Sequence, residues 1–134
     1  MPFLPISGFY AALLAMLMLI LAYQVVKQRV RHKAGLGHQQ HDDLLVAGRA
    51  HANATEYIPI MLILLAAAEL NGANPTLLHT AGVAMLLSRL VHAWGFSAAK
   101  GKTHRGRYWG TLVTWLTILW LCSINLLLSW RYIF

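Results

Sequence analysis

The sequence predicts an all-α membrane protein, a four-transmembrane-helix antiparallel bundle in one domain over residues 1–134. Three observations predict it. Hydrophobic residues make up 58% of the chain and charged residues only 11%, where a soluble domain carries roughly a quarter charged. The apolar residues fall into four blocks of membrane-spanning length, about twenty residues at roughly 1.5 Å rise each. The basic residues gather in two short clusters between blocks, Lys27–Lys33 and Lys100–Arg107.

The first span, residues 6–26, holds no charge. With no basic stretch before it and no small-residue cleavage site after it, it reads as a retained helix and not a removed leader. The second, residues 42–71, would be about 45 Å long as a helix. That exceeds the hydrocarbon layer, so its first turns should protrude, with Asp42 or Asp43 capping the start. Pro59 lies inside this span and should bend it, freeing the carbonyl of Thr55. Asn71-Gly72-Ala73-Asn74-Pro75 signals a tight turn. The third span covers residues 76–96. The fourth covers 107–130, with Trp109 and Trp130 as interfacial anchors and Trp115 and Trp120 as packing. Cys122, the only cysteine, rules out an intramolecular disulfide and reads as an inert packing thiol.

The formal net charge of +7 does not point to nucleic acid, because the basic residues flank apolar spans instead of covering one soluble face. Membrane lipids with anionic headgroups are the expected partner. The first and third connections each hold four Lys or Arg and the second none. Positive-inside bias then places both basic loops in the cytoplasm and both termini outside.

Ionisable groups at membrane depth are costly and mark a site. Arg49, Asn53 and Glu56 are spaced four and three residues apart, so on a helix they form one polar stripe. Counting from the second connection, Glu56 and Arg89 each lie roughly 20 Å in, which makes them a candidate buried pair. Glu69 and His79 share a shallower depth and are expected to meet as a local interhelical bond. With Arg49, His51, Asn53 and Glu56 from the second helix and Arg89 and His92 from the third, the cytoplasmic half gathers a polar cavity. Arg29 at the end of the first helix and Arg105 and Arg107 at the start of the fourth surround it. A cationic cavity with one carboxylate suits a small molecule carrying several carboxylates and one ammonium. His38, His41, Asp42 and Asp43 have metal-ligand chemistry, but in a polar loop before a helix they read as solvated. His51 and His92 differ in depth, which argues against haem. No metal is expected.

The run from Arg49 through Asn53, Glu56 and Tyr57 to Pro59 resembles the second-helix signature of the MAPEG family, the membrane-associated proteins in eicosanoid and glutathione metabolism. The run Ser88-Arg89-Leu90-Val91-His92-Ala93-Trp94-Gly95-Phe96 is similar to the end of that family's third helix. Length and topology match along nearly the whole chain, most closely those of its small bacterial inner-membrane members. The resemblance implies a homotrimer in the bacterial inner membrane, with glutathione between protomers near the cytoplasmic side. It implies glutathione contacts for Arg49, Asn53, Glu56 and Tyr57, and for Arg29 at the first helix end. It also implies a thiol-activating arginine at the start of the fourth helix, Arg107 first and Arg105 second. His92 and Phe96 stand where synthase members carry tyrosines, so two phenol contacts are lost.

The residue chemistry leads to the same ligand class. A glutathione thiol near pKa 8.5 must ionise to attack, and each unit by which a guanidinium lowers it corresponds to about 1.4 kcal/mol. The expected function is a glutathione-dependent transferase or peroxidase acting on lipophilic electrophiles or lipid hydroperoxides. The alternatives are a non-catalytic lipid- or glutathione-binding scaffold on the same fold, and a small proton-coupled exporter using Glu56.

Overall fold

The computed structural model describes residues 3–100 and 102–133, with the backbone alone at 131 and 132. Met1, where the retained-leader reading begins, lies outside the described residues. Four helices follow one another, α1 Pro5–His32, α2 Asp42–Leu70, α3 Pro75–Ala98 and α4 Arg105–Ile133. A helix covers each segment expected to span, and α1 runs past residue 26 to His32. Lys27, Arg29 and Arg31 continue it because long basic side chains are good helix formers and suit the negative end of the helix dipole.

α2 and α3 form the central pair, each touching the other three helices, while α1 and α4 do not touch one another among the described residues. Cross-contacts fix the directions. Glu69 late in α2 reaches Ile6 and Ser7 at the start of α1, and His32 at the end of α1 meets Asp43 at the start of α2. Arg89 on α3 meets Thr114 on α4, and further toward the C-terminal end of α3, Gly95 faces the backbone of Arg107 at the start of α4. Consecutive helices are therefore antiparallel, as short connections require.

Local chemistry explains the boundaries. The second connection is the expected tight turn: Gly72 adopts φ +77, a left-handed conformation that glycine takes without steric cost. Asn74 then caps α3 by accepting the Thr76 N–H at 2.8 Å, with Pro75 in the first turn where its missing N–H costs nothing. The expected aspartate cap of α2 is corrected. His41 holds the cap position without a side-chain bond. Asp42 and Asp43 sit inside the first turn, where Asp43 pairs with His32 at 2.9 Å and Arg31 at 3.6 Å. α2 runs unbroken through Pro59, which faces outward, while the Thr55 hydroxyl donates to the Ala52 carbonyl at 2.8 Å.

Three helical segments, Pro5–His32, Asp42–Leu70 and Arg105–Trp130, are each long and apolar enough to cross a membrane. α3 falls short on composition alone because it carries His79, Ser88, Arg89 and His92. Its central place in the bundle makes three of them tolerable, since Ser88, Arg89 and His92 are buried, while His79 is exposed near the second connection. The core of Leu14, Met61, Leu65, Met85 and Leu121 is fully enclosed. Lipid tails are as apolar as leucine, so helices associate here by close packing at small residues. Gly82 lies against the Tyr10 ring, and Gly110 lies so close to α3 that a Cβ there would sit 2.8 Å from His92 Cα. Asn125 adds a polar tie, donating from α4 to the Leu64 carbonyl on α2 at 2.9 Å. Leu19, Ile63, Leu119 and Leu126 face outward, as do the expected anchors Trp109 and Trp130. Trp120 packs against the core as anticipated. Trp115 does not and is exposed. Cys122 is half-buried.

Candidate functional site

The polar residues of α2 and α3 do not share one cavity as the sequence suggested. They divide into a buried cluster and an outward-facing stripe, with Asn53 between them. Arg89 is only 1% exposed. One of its terminal nitrogens donates to Asn53 Oδ1 at 2.7 Å and to His92 Nδ1 at 2.9 Å. The other donates to the Thr114 hydroxyl at 3.3 Å, which in turn bonds the Gly110 carbonyl at 2.8 Å. The guanidinium also lies 5.7 Å from the centre of the Tyr57 ring. Its Nε is buried and has no hydrogen-bond partner among the described residues. A guanidinium carries donors only, so His92 Nδ1 is the unprotonated nitrogen of its ring.

The expected Glu56–Arg89 pair is absent. Equal depth along two helices does not set azimuth, and Glu56 points off the protomer while Arg89 points into it. Every partner of Arg89 given above is neutral, which is unusual for a buried charge. The Glu69–His79 contact is likewise not a hydrogen-bonded pair. Glu69 is taken up by the α1 N-terminus at 3.0 and 2.7 Å, and His79 accepts or donates to the Tyr10 hydroxyl at 3.2 Å.

Arg49 and Glu56 are both exposed on the outer face of α2, with Asn53 half-buried at its edge and His51 half-buried nearby. From Asp42 they lie about 10 and 21 Å along the helix axis. Tyr57, next to Glu56, accepts a hydrogen bond from Trp115 Nε1 at 3.0 Å, which joins the stripe to α4. Trp115 lines a groove of about 660 Å³ on α4 together with Arg105, Arg107, Tyr108 and Leu112. Arg107 stacks over the Phe96 ring at 4.5 Å. The close approach of Gly95 to the backbone of Arg107, where a Cβ would sit 2.6 Å from its nitrogen, holds the start of α4 at this place.

Arg29 is not part of either group. Its guanidinium donates to the carbonyls of Ala34, Gly35 and Gly37 at 3.2 to 3.4 Å, folding the first loop back on the helix that precedes it. Across that loop His32, the last residue of α1, stacks on His41 with ring centres 3.9 Å apart, and no set of three or more metal-ligating side chains converges among the described residues. Sequence reasoning missed Thr114 and the Tyr57–Trp115 bond. Thr114 depends on the α3–α4 register, which glycine contacts set, and the Tyr57–Trp115 bond on how α2 meets α4; neither leaves a periodic signal.

The fold and this arrangement define a class: a four-helix membrane protein with a buried arginine behind a charged outer stripe on its second helix. The MAPEG family model matches residues 7–127, and the chain belongs to that family. It is 34% identical over 130 residues to inner membrane protein YecN of Escherichia coli strain K12, covering 96% of this chain and 97% of that protein. The same figures hold for YecN of Escherichia coli O6:H1 strain CFT073.

Proposed function

We propose that the protein is a glutathione-dependent transferase or peroxidase of the bacterial inner membrane, acting on lipophilic electrophiles or lipid hydroperoxides. One observation carries this reading. Arg49 and Glu56 lie exposed on the outer face of a helix long and apolar enough to cross a bilayer, where charges facing lipid are expensive. A neighbouring protomer and a ligand bearing both charge signs would relieve that cost, and a homotrimer with glutathione between subunits supplies both. Its carboxylates suit Arg49 and the Asn53 amide, and its ammonium suits Glu56. The name of the YecN relatives supports the inner-membrane location. The basic first and third connections support a cytoplasmic position for the site, with both termini outside.

The chemistry follows from the groove on α4. Arg105 and Arg107 line it beside Tyr108 and Trp115, and a guanidinium near sulfur favours the thiolate, more so where water is scarce. The thiolate attacks the electrophilic carbon of a substrate reached laterally from the membrane. An S–C bond forms and the leaving group departs with the electron pair. The scaffold alternative draws on one observation, that Arg107 lies over the Phe96 ring at 4.5 Å in place of a phenol.

The test is isothermal titration of the detergent-purified protein with glutathione, followed by conjugation of a chloronitrobenzene electrophile. Saturable binding that Arg49→Ala and Glu56→Ala each weaken at least tenfold supports the site. Binding without turnover selects a glutathione-binding scaffold, and no binding at millimolar glutathione removes the enzyme and leaves only a lipid-binding scaffold.

A further inference from the structure

We infer that Arg89 is a positioning residue, which fixes the Asn53 amide so that its N–H₂ end is presented to an anionic group of the ligand. This deepens the glutathione reading and rests on it. A side-chain amide has an acceptor end and a donor end of nearly equal shape, and in isolation either can face outward. Here the inner neighbour of Asn53 is a guanidinium 2.7 Å away, which has no lone pair to offer. Only Oδ1 can face it. The nitrogen is thereby turned to the outer side, where Arg49 and Glu56 stand exposed one turn before and after. No protein acceptor bonds this nitrogen among the described residues.

The cluster around Arg89 is built for this and not for stability. A buried cation without a carboxylate is costly, and an apolar residue of similar volume would serve packing as well or better. Its hydrogen-bond partners Asn53, His92 and Thr114 are neutral, so the charge is not cancelled before it reaches the stripe. Thr114 and His92 hold the guanidinium from α4 and α3, which leaves Asn53 as its hydrogen-bonded link toward the outer face. Arg89 therefore raises affinity for an anion in two ways, by locking the donor outward and by polarising the amide it holds.

Two variants separate this role from simple support. Asn53→Asp gives Arg89 a carboxylate partner while replacing the outward donor by an acceptor, so the protein should melt at the same or a higher temperature and bind glutathione at least tenfold more weakly. A purely structural Arg89 predicts that the two readouts move together. The second arm is a double-mutant cycle with glutathione titrations on the wild type, Arg89→Met, Asn53→Ala and the double variant. Acting through Asn53, Arg89→Met should weaken binding tenfold or more in the wild type and less than twofold in the Asn53→Ala background. Where Arg89→Met does not fold, Arg89→Lys takes its place in the cycle, with a smaller loss expected in the wild type and again none beyond twofold in Asn53→Ala. Losses that multiply in the double variant, or Asn53→Asp binding like wild type, overturn the inference while the glutathione site stands. A wild type that does not bind glutathione removes the site and this inference with it.

Discussion

The two carboxylate oxygens of Glu69, near the end of α2, accept the backbone N–H groups of Ile6 and Ser7 at 3.0 and 2.7 Å. Leu4 holds the cap position of α1 with no side-chain cap bond, and an anion at a helix N-terminus both fills orphan donors and meets the positive end of the dipole. One residue thus caps a helix more than sixty positions away and closes the α1–α2 pair at the end opposite the basic loops. Glu69→Ala should cost about 1–2 kcal/mol, the usual loss for a cap, and Glu69→Gln, which keeps one acceptor, about half of that. Unfolding in mixed micelles measures it, and an unchanged midpoint for Glu69→Ala would show that the cap does not stabilise the bundle.

Gly110 and Gly48 make a matched pair of predictions. A Cβ on Gly110 would sit 2.8 Å from the His92 backbone, whereas one on Gly48 meets nothing within 4 Å. Gly110→Ala forces α3 and α4 apart and should destabilise by about 1–3 kcal/mol, the range for overpacking. Gly48→Ala removes backbone freedom without a clash and should stabilise by about 0.5–1 kcal/mol. Equal effects at the two positions would mean that α3 and α4 do not pack as closely as the glycines allow.

Exposure gives Arg49 and Glu56 an unusual expected phenotype. Neither packs in the core of its own protomer, so alanine at either should leave the stability of the detergent-solubilised protomer within about 0.5 kcal/mol. Glutathione affinity should nevertheless fall tenfold or more, about 1.4 kcal/mol. Glu56→Gln separates charge from shape, because an amide keeps the volume but not the attraction for an ammonium. Binding by Glu56→Gln equal to wild type would show that Glu56 is not the ammonium partner.

Which parts of this molecule the sequence makes legible follows from what each signal measures. Four helices, their order and the turn at Gly72 are visible because long apolar blocks and a glycine between asparagines are local features. The stripe on α2 is visible because a helix has a fixed period. Azimuth between helices is not local. Arg89 and Glu56 share a depth but not a face, so depth counting paired them wrongly and overlooked Asn53 as the true neighbour of the arginine. Arg29 shows the same limit, since nothing in its spacing reveals that three carbonyls of its own loop hold it. Thr114 becomes recognisable only once Gly110 has set how near α4 lies to α3.

The bond from Trp115 Nε1 to the Tyr57 hydroxyl, 3.0 Å long, lies on the seam between the stripe and the groove. Tyr57 adjoins Glu56 in sequence, and Trp115 lines the groove with Arg105 and Arg107. The bond is exposed, so its removal should cost only about 0.5–1.5 kcal/mol. Its functional effect should depend on which side is altered. Trp115→Ala deletes an indole wall of the groove, so KM for a lipophilic electrophile should rise severalfold while the glutathione Kd stays within twofold. Tyr57→Phe keeps the ring beneath Arg89 but leaves the indole N–H without its acceptor, so it should loosen Trp115 and raise the same KM by a smaller factor. Steady-state conjugation kinetics alongside glutathione titration read the two constants separately. A shift in glutathione Kd for Trp115→Ala, with KM for the electrophile unmoved, would place the tripeptide itself in the groove and the lipophilic substrate elsewhere.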